Sequence, residues 1–314
     1  DGQQYLAVAR NLYYERWPSA PPYEYDQRLN IHMNLIRNKQ DGKYYSGTGL
    51  GYSVALLPAV VVSDAVHRWY NVSPPLRFPL ESDWVVLFVA SFINSGFGAL
   101  LAVVMYSYLR KLEFAHRTAL LMSFLTVVAT NVSAYTKHGF AHLMFAVFML
   151  LTFYFMKRAK TDKSTRSLVY AGAAFGICGL SYNPVFFLAL PALAVYYFLL
   201  FPQARRRLLL SLKPLLLFIL GGLPFAVVYF LFNYIRLGSV ANSGYGTPEL
   251  SLPRGSTGVV MFEGLWGFFF SAGRSVFLYS PLLLVPLIFW QKFQIKTIRA
   301  EFFAFLTLMI TYLG

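Results

Sequence analysis

Three polar segments of the sequence carry residue types that could do chemistry, and each adjoins a long apolar stretch. The first begins at Asp1-Gly2 and runs into a segment whose apolar residues recur at helical spacing as far as Tyr13. A carboxylate at a membrane surface can take a proton from an acceptor hydroxyl. Asp is also a favoured N-cap residue, so Asp1 is interpreted either as a general base or as the cap of that helix.

The second segment runs from Tyr135 to His142 and contains two histidines and a lysine. Lys137 or His138 is predicted to contact a phosphate. His142 is predicted to point into the helix bundle from the first turn of its helix, because ionisable residues inside membranes usually face an interior or a cavity. The alternative is that a hydrogen bond to a neighbouring helix satisfies this histidine.

The third segment is rich in glycine and aromatic residues and covers residues 233–239, 244–246, 263–275 and 279–281. Glycines let the backbone approach a ligand closely, and an arginine at a helix start, as predicted for Arg274, can hold phosphate oxygens with two parallel hydrogen bonds. The alternative is an aromatic belt at the membrane surface, with Arg274 extended towards lipid head groups.

The composition indicates what kind of molecule positions these segments. Hydrophobic residues make up 57% of the chain and charged residues 13%, with a mean hydropathy of +0.52, whereas soluble domains have about 25% charged residues. The sequence therefore predicts an all-α, polytopic transmembrane helix bundle. Eight apolar stretches are candidate transmembrane helices: residues 83–109, 119–135, 140–156, 168–182, 185–201, 215–235, 275–290 and 302–313.

The basic residues predict the orientation of this bundle. The net charge of +14 comes from clusters that fall on every second connection between apolar stretches, which favours cytoplasmic loops over nucleic-acid binding. The predicted external parts are residues 1–82, the turns at 135–139 and 182–184, and the loop 236–274. Within the first of these, residues 1–17 are interpreted as a helix lying in the membrane interface, and residues 50–66 as a juxtamembrane or re-entrant helix.

Several expected features are missing from the sequence. Cys178 is the only cysteine, so it can form no disulfide within the chain. No Walker loop, dinucleotide-binding fingerprint, zinc motif or Asp-x-Asp pair occurs. The chain starts at Asp1 rather than at a methionine, and its last residues interrupt an apolar stretch, so both ends are interpreted as truncated.

The order of these motifs resembles the GT-C superfamily of integral membrane glycosyltransferases, in the bacterial branch related to protein O-mannosyltransferases and aminoarabinose transferases. Members carry an acidic residue followed by a Tyr-Leu helix, as in Asp1 to Leu6, and a Gly-x-Gly entry to an apolar stretch, as in Gly49 to Gly51. The most specific similarity is the series in residues 233–239, 244–246, 271–275 and 279–281.

The resemblance implies an inverting glycosyltransferase that takes a sugar from a polyprenyl-phosphate donor. Asp1 would be the general base and Arg274 would stabilise the donor phosphate on the external face of a bacterial inner membrane. The acceptor would be a hydroxyl of a glycan, lipid or protein, and relatives of this branch generally work without a metal ion. The further candidate substrate-binding residues are Tyr5, Lys137, His138, His142, Tyr245, Tyr279 and Ser280.

Two other classes of function stay open at this point. A transporter or lipid flippase would place polar groups at the depth of the bilayer centre, and such proteins commonly contain paired repeats and broken helices. The sequence contains no evident repeat, and its polar residues cluster at the predicted external ends. A non-catalytic subunit of an assembly is the second alternative.

Overall fold

The computed structural model describes residues 2–19, 35–38, 41–47, 49–72, 83–181, 185–201, 208–240, 266–267, 269–271, 276–279 and 298–313. Within these residues the chain is almost entirely helical, with one short antiparallel hairpin, β1 (Leu35–Arg37) and β2 (Tyr44–Ser46). The helices follow in chain order as α1 (Gly2–Tyr14), α2 (Leu50–Ala55), α3 (Leu57–Trp69), α4 (Trp84–Lys111), α5 (His116–Val128), α6 (Val132–Tyr135), α7 (His142–Thr161), α8 (Thr165–Ser181), a 3₁₀ helix (Val185–Ala189), α9 (Leu190–Leu200), α10 (Leu208–Leu237), α11 (Val276–Tyr279) and α12 (Arg299–Leu313).

The protein is an all-α polytopic membrane helix bundle, as the sequence predicts. Helices cover all or most of seven of the eight predicted apolar stretches, and the remaining one, 275–290, lies largely outside the described residues. A bilayer favours this outcome because every backbone polar group in lipid must be bonded within its own segment. Among the described residues, four helical segments are long and apolar enough to cross a membrane: Leu50–Trp69, Trp84–Lys111, His142–Thr161 and Leu212–Leu237.

Helices α8 and α10 approach each other closely at two glycines. A Cβ atom added at Gly172 would lie 1.8 Å from the Phe218 carbonyl oxygen, and one at Gly221 would lie 1.9 Å from the Val169 carbonyl oxygen. Small residues at helix interfaces are the usual means of packing in membranes, because lipid supplies no hydrophobic force between helices. These glycines therefore set the distance between α8 and α10.

A buried polar network joins four helices at the end of the bundle that is predicted to be cytoplasmic. The Lys157 amine lies 2.8 Å from a carboxylate oxygen of Glu301, and the Tyr196 hydroxyl donates to the same oxygen at 3.2 Å. The Tyr108 hydroxyl is 2.9 Å from the Tyr196 hydroxyl. Together these contacts connect α4, α7, α9 and α12.

Helix α3 packs antiparallel to the first half of α4. Asp83 caps α4 by accepting from the Val86 backbone N–H at 3.1 Å, and it also accepts from the Ser63 hydroxyl at 2.8 Å. Leu56 and Ala90, further from this junction on each helix, border the same cavity. At the start of α2, the glycines of the Gly-x-Gly segment allow this helix to contact the end of α8. A Cβ at Gly49 would lie 2.2 Å from the Leu180 carbonyl oxygen.

Helix α1 is buried, which differs from the interfacial helix predicted for residues 1–17. Residues 4–10 are all buried, including Arg10 at 7% exposed, and the helix packs against α2 and α3. The Tyr13 and Tyr14 hydroxyls each donate to the Asp64 carboxylate at 2.9 Å. Helix α1 is therefore covered on every side along residues 4–10.

Candidate functional site

A cavity of about 260 Å³ lies where α1, α2 and α4 meet the turn before α7. Its apolar wall comes from Leu6, Leu56, Leu87 and Ala90, and its polar wall contains both predicted and unpredicted residues. The polar lining residues, with one glycine, are Tyr52, Ser91, Asn94, Lys137, His138 and Gly139. One concave surface therefore combines an apolar face with hydroxyl, amide and amine groups, as small-molecule sites do.

Tyr52 is positioned by its packing against α1. Its side chain is fully buried, and its ring meets the Tyr5 ring edge to face with the centroids 5.0 Å apart. The Tyr52 hydroxyl has no hydrogen-bond partner among the described residues. Tyr5, a predicted substrate-binding residue, is 3% exposed and supports this ring, whereas Tyr52 itself lines the cavity.

Asn94 fixes the turn that carries Lys137 and His138. It is 2% exposed within the apolar helix α4, and its side-chain nitrogen donates to the backbone carbonyls of Tyr135, His138 and Phe140, at 3.3 Å for the first and 3.1 Å for the third. The amide oxygen of Asn94 has no partner in the described part of the chain. A single asparagine thus determines where the turn lies relative to the cavity.

The structure brings Lys137 and His138 together at the cavity, where both side chains are exposed. His142 has a different placement from the one predicted. Its side chain is exposed rather than directed into the bundle, and its ring lies 5.5 Å from the Tyr135 ring and 5.7 Å from the Phe140 ring. The physical reason is that these aromatic rings pack beside the first turn of α7, one tilted and one edge to face with the imidazole.

The predicted motif Asn-Tyr-x-Arg at residues 233–236 forms a clamp on the hairpin. The Arg236 guanidinium is fully buried and donates to the Ser46 carbonyl oxygen and to the Asn233 side-chain oxygen, both at 2.8 Å. The Asn38 side chain donates to the Ile235 carbonyl oxygen at 2.8 Å. The end of α10 is therefore joined to both sides of the hairpin. Residues 233–236 of the third polar segment thus have a structural role in holding the hairpin.

One group of α1 and one of the hairpin have pKa values that burial displaces. Burial in α1 lowers the pKa of the Arg10 guanidinium, whose two terminal nitrogens have no hydrogen-bond partner among the described residues. Burial, together with a hydrogen bond to Asp41, raises the pKa of Tyr45 to about 12. Tyr45 therefore stays protonated at neutral pH, and its hydroxyl links the hairpin to Trp17, whose indole N–H donates to it at 2.8 Å.

The remaining predicted site residues have no described side chain. Asp1, Tyr245, Arg274 and Ser280 lie outside the described residues, and Tyr279 is described only as the last residue of α11. Among the described residues, no group of three or more His, Cys, Asp or Glu side chains could hold a metal ion. The described site therefore consists of the cavity, with Lys137 and His138 from the prediction and with Tyr52 and Asn94 in addition.

Tyr52 and Asn94 are the residues that sequence reasoning missed. Both lie inside apolar stretches, at 50–66 and 83–109, where polar side chains are rare and usually face a protein interior or a cavity. A polar residue within the apolar stretch 83–109 was therefore the signal that could have identified Asn94 as a site residue. Nothing in the sequence pairs these residues, because they lie 42 positions apart and only the tertiary packing brings them to one cavity.

Comparison with curated proteins and with solved structures finds no match for this chain. A family model does match residues 80–231, just under half of the chain. The matched segment starts before α4 and ends within α10, so it includes Asn94 and the turn with Lys137 and His138. This central segment of the chain is similar to the dolichyl-phosphate-mannose-protein mannosyltransferase family.

Proposed function

We propose that this protein is a membrane glycosyltransferase that moves a sugar from a polyprenyl-phosphate donor to an acceptor hydroxyl. The observation that carries the proposal is the family match over residues 80–231, which contains helices α4 to α9 and most of α10. The cavity beside this segment supports it, because polar groups line one wall and Lys137 offers a positive charge for an anionic group at the mouth.

In this proposal Asp1 is the general base. Its carboxylate takes the proton from the acceptor hydroxyl as that oxygen attacks the anomeric carbon of the donor sugar. The bond from the anomeric carbon to the phosphate oxygen breaks, the configuration inverts, and polyprenyl phosphate leaves. Arg274 stabilises the charge on the departing phosphate, since a guanidinium stays protonated and can bind two phosphate oxygens at once.

The other candidate residues are assigned to substrate binding. Lys137 and His138 contact the donor phosphate or sugar from the turn before α7, and His142 does so from the surface of that helix. Tyr245, Tyr279 and Ser280 act from the glycine-rich segment, and Tyr5 acts through the ring of Tyr52. No metal ion is part of the mechanism.

We place the reaction on the external side of a bacterial inner membrane. The alternating basic connections support this orientation under the positive-inside rule. The proposed acceptor is a hydroxyl of a glycan, lipid or protein that reaches the same face. Membrane lipids are the remaining partner, and nucleic acid has no part.

The test is transfer of radiolabelled sugar from a polyprenyl-phosphate donor by the purified full-length protein in lipid vesicles. We expect transfer to an acceptor, and we expect the rate to be unchanged by a chelator of divalent cations. A transporter or flippase would move the donor between leaflets without releasing polyprenyl phosphate. Flipping without release would therefore overturn the proposal, as would the absence of any transfer.

The phosphate role of Arg274 needs a separate comparison. Arg254 lies in the same predicted external loop, 236–274, and serves as the matched arginine. We expect Arg274→Ala to weaken donor binding at least 10-fold, a loss on the order of one charge-assisted hydrogen-bond pair. We expect Arg254→Ala to bind the donor as the unaltered protein does. Equal donor affinity in both variants would remove Arg274 from the mechanism.

A further inference from the structure

A groove with a volume of about 690 Å³ lies between α9 and α12. Its described lining shares no residue with the cavity and comes from one face of each helix. On α12 the lining residues Arg299, Phe303 and Thr307 follow at four-residue spacing, and on α9 Ala194 and Phe198 do the same. The Thr307 hydroxyl already donates to the Phe303 carbonyl oxygen. Arg299 is therefore the residue of the described lining that offers donors to a ligand.

The groove begins at the end of the bundle that is predicted to be cytoplasmic. Arg299 is the first residue of α12, and Glu301, two positions further on, belongs to the buried polar network at that end. From Arg299 to Thr307 the groove follows α12 for about 12 Å, less than half of the roughly 30 Å of a bilayer core. The groove thus fits within one leaflet, with its charge at the head-group end.

The positive charge of Arg299 has no ion-pair partner in the described part of the chain. The carboxylates near this end bind other cations, since Glu301 pairs with Lys157, and Asp162 pairs with basic residues of α4 and α7. The Arg299 side chain is exposed, and its guanidinium carbon lies 5.9 Å from the centre of the Phe303 ring, one turn further along α12. This contact holds the cation over the groove wall and leaves its N–H groups for an anion.

An anionic phospholipid matches this combination of groups. Its phosphate needs a cation at the level of the head groups, and its acyl chains need an apolar surface deeper in the leaflet. Phe198 and Phe303 offer that surface, at 48% and 39% exposed. The connections that adjoin the two helices here, residues 202–207 and 291–298, contain five Lys and Arg residues and no Asp or Glu. Basic pockets between transmembrane helices on the cytoplasmic side bind anionic head groups in this way.

We propose that the groove between α9 and α12 binds an anionic phospholipid of the cytoplasmic leaflet, with its phosphate on Arg299 and an acyl chain along Phe198 and Phe303. The site lies at the opposite end of the bundle from the predicted external face, so it does not depend on the proposed reaction. A lipid bound there contacts both α9 and α12. Because it binds the folded bundle, it raises the temperature of unfolding.

The charge is tested with Arg299→Ala and with Arg166→Ala as its matched control. Arg166 is also an exposed arginine in the first turn of a helix at the predicted cytoplasmic end, and it does not line the groove. Native mass spectrometry of the full-length protein in detergent measures the affinities for dioleoyl phosphatidylglycerol and dioleoyl phosphatidylcholine, which share their acyl chains and differ in net charge.

We expect the unaltered protein to prefer phosphatidylglycerol. Arg299→Ala should weaken phosphatidylglycerol about 5-fold and leave phosphatidylcholine unchanged, in keeping with the loss of one basic group beside an anionic head group. Arg299→Lys keeps the charge and should keep the preference, and Arg166→Ala should bind both lipids as the unaltered protein does. Unaltered thermal unfolding of each variant without added lipid shows that the fold is retained.

The apolar part of the groove is tested with Ala194→Trp, whose added ring occupies the volume of the acyl chain. Ala99→Trp on α4 is the control, because Ala99 is likewise an exposed alanine of an apolar helix and lies outside the groove. We expect Ala194→Trp to weaken both lipids by a similar factor and Ala99→Trp to weaken neither.

Three results would overturn the lipid site. The first is the same ratio of the two lipid affinities in Arg299→Ala and Arg166→Ala. The second is unaltered lipid binding by Ala194→Trp, which is expected if another segment of the full-length chain or a second copy of the protein covers the groove. The third is displacement of phosphatidylglycerol by sn-glycerol 3-phosphate, which carries the phosphate without acyl chains.

Discussion

Asn94 shows how one polar residue in an apolar helix can organise a site. Its side-chain nitrogen faces three backbone carbonyl oxygens of the turn that carries Lys137 and His138, while α4 continues on both sides as a membrane helix. A hydrophobic residue of similar size could occupy the same space but could not bond to these carbonyl groups. The position of the turn therefore depends on the amide.

We expect Asn94→Leu to lower the free energy of unfolding by about 1–3 kcal/mol, because it leaves carbonyl groups of the turn without their donor. The control is Ser107→Ala on the same helix, whose hydroxyl donates to the Val103 carbonyl oxygen within α4, and this variant should stay within about 0.5 kcal/mol. Thermal unfolding in detergent measures both. Equal stability of the two variants would contradict the anchoring role of Asn94.

Residue roles were predictable from the sequence only in part. The segment with Lys137 and His138 was recognised because charged residues stand out between apolar stretches, and the structure does bring both to one cavity. His142 is exposed beside the rings of Tyr135 and Phe140, and the sequence pattern does not specify such ring contacts. The roles assigned to Asp1 and Arg274 stay predictions.

At the scale of elements, the contact between α8 and α10 depends on glycine. We expect Gly172→Ala to cost about 3 kcal/mol of stability, because its Cβ would lie 1.8 Å from a backbone oxygen that cannot move alone. Gly96→Ala on α4 is the control, since nothing lies within 4 Å of its added Cβ, and it should be neutral or slightly stabilising. Unaltered thermal unfolding of Gly172→Ala would show that the two helices are not held this closely.

The pair Lys157 and Glu301 joins α7 to α12, and its stability contribution can be separated from that of packing. We expect Glu301→Leu alone to cost about 2–4 kcal/mol, because it leaves a largely buried ammonium group without its carboxylate. The double variant Lys157→Met with Glu301→Leu should recover most of that loss. A double variant no more stable than Glu301→Leu, measured by thermal unfolding, would argue against a buried pair.

The elements themselves were largely predictable, and their contacts were not. Long apolar stretches specify helices because a bilayer leaves the backbone no other means of bonding its polar groups. The Gly-x-Gly segment at 49–51 was visible in the sequence. Glycine is needed there because the backbone of Leu180, far along the chain, lies against it. Helix α1 likewise has helical periodicity, yet its burial on every side follows from the elements that cover it.

For the whole molecule, the external position of α2 and α3 stays a prediction. The part of α4 from Asn94 to Lys111 alone is about 27 Å long, close to the roughly 30 Å of a bilayer core. The first part of α4, with α3 beside it, precedes Asn94, whose amide bonds to the turn that carries Lys137. The apolar segment Leu50–Trp69 is nevertheless long enough to cross a membrane, so its orientation is a prediction to test.

Cys178 is the only cysteine and is buried, so single cysteines can be placed in a Cys178→Ala background. We expect a membrane-impermeant maleimide added outside intact cells to label Trp69→Cys, where the native side chain is 84% exposed, as well as Lys137→Cys. Lys163→Cys should react only after lysis, because its loop is predicted to be cytoplasmic. If Trp69→Cys were protected until lysis while Lys137→Cys reacted, α2 and α3 would cross the membrane.

The most direct test of the proposed reaction is single-turnover transfer by Asp1→Asn in the full-length protein, measured together with donor affinity. Asparagine keeps the size of the side chain but cannot accept the hydroxyl proton, so we predict unaltered donor binding and a rate of sugar transfer reduced at least 100-fold. Transfer at the rate of the unaltered protein would contradict the assignment of Asp1 as the general base.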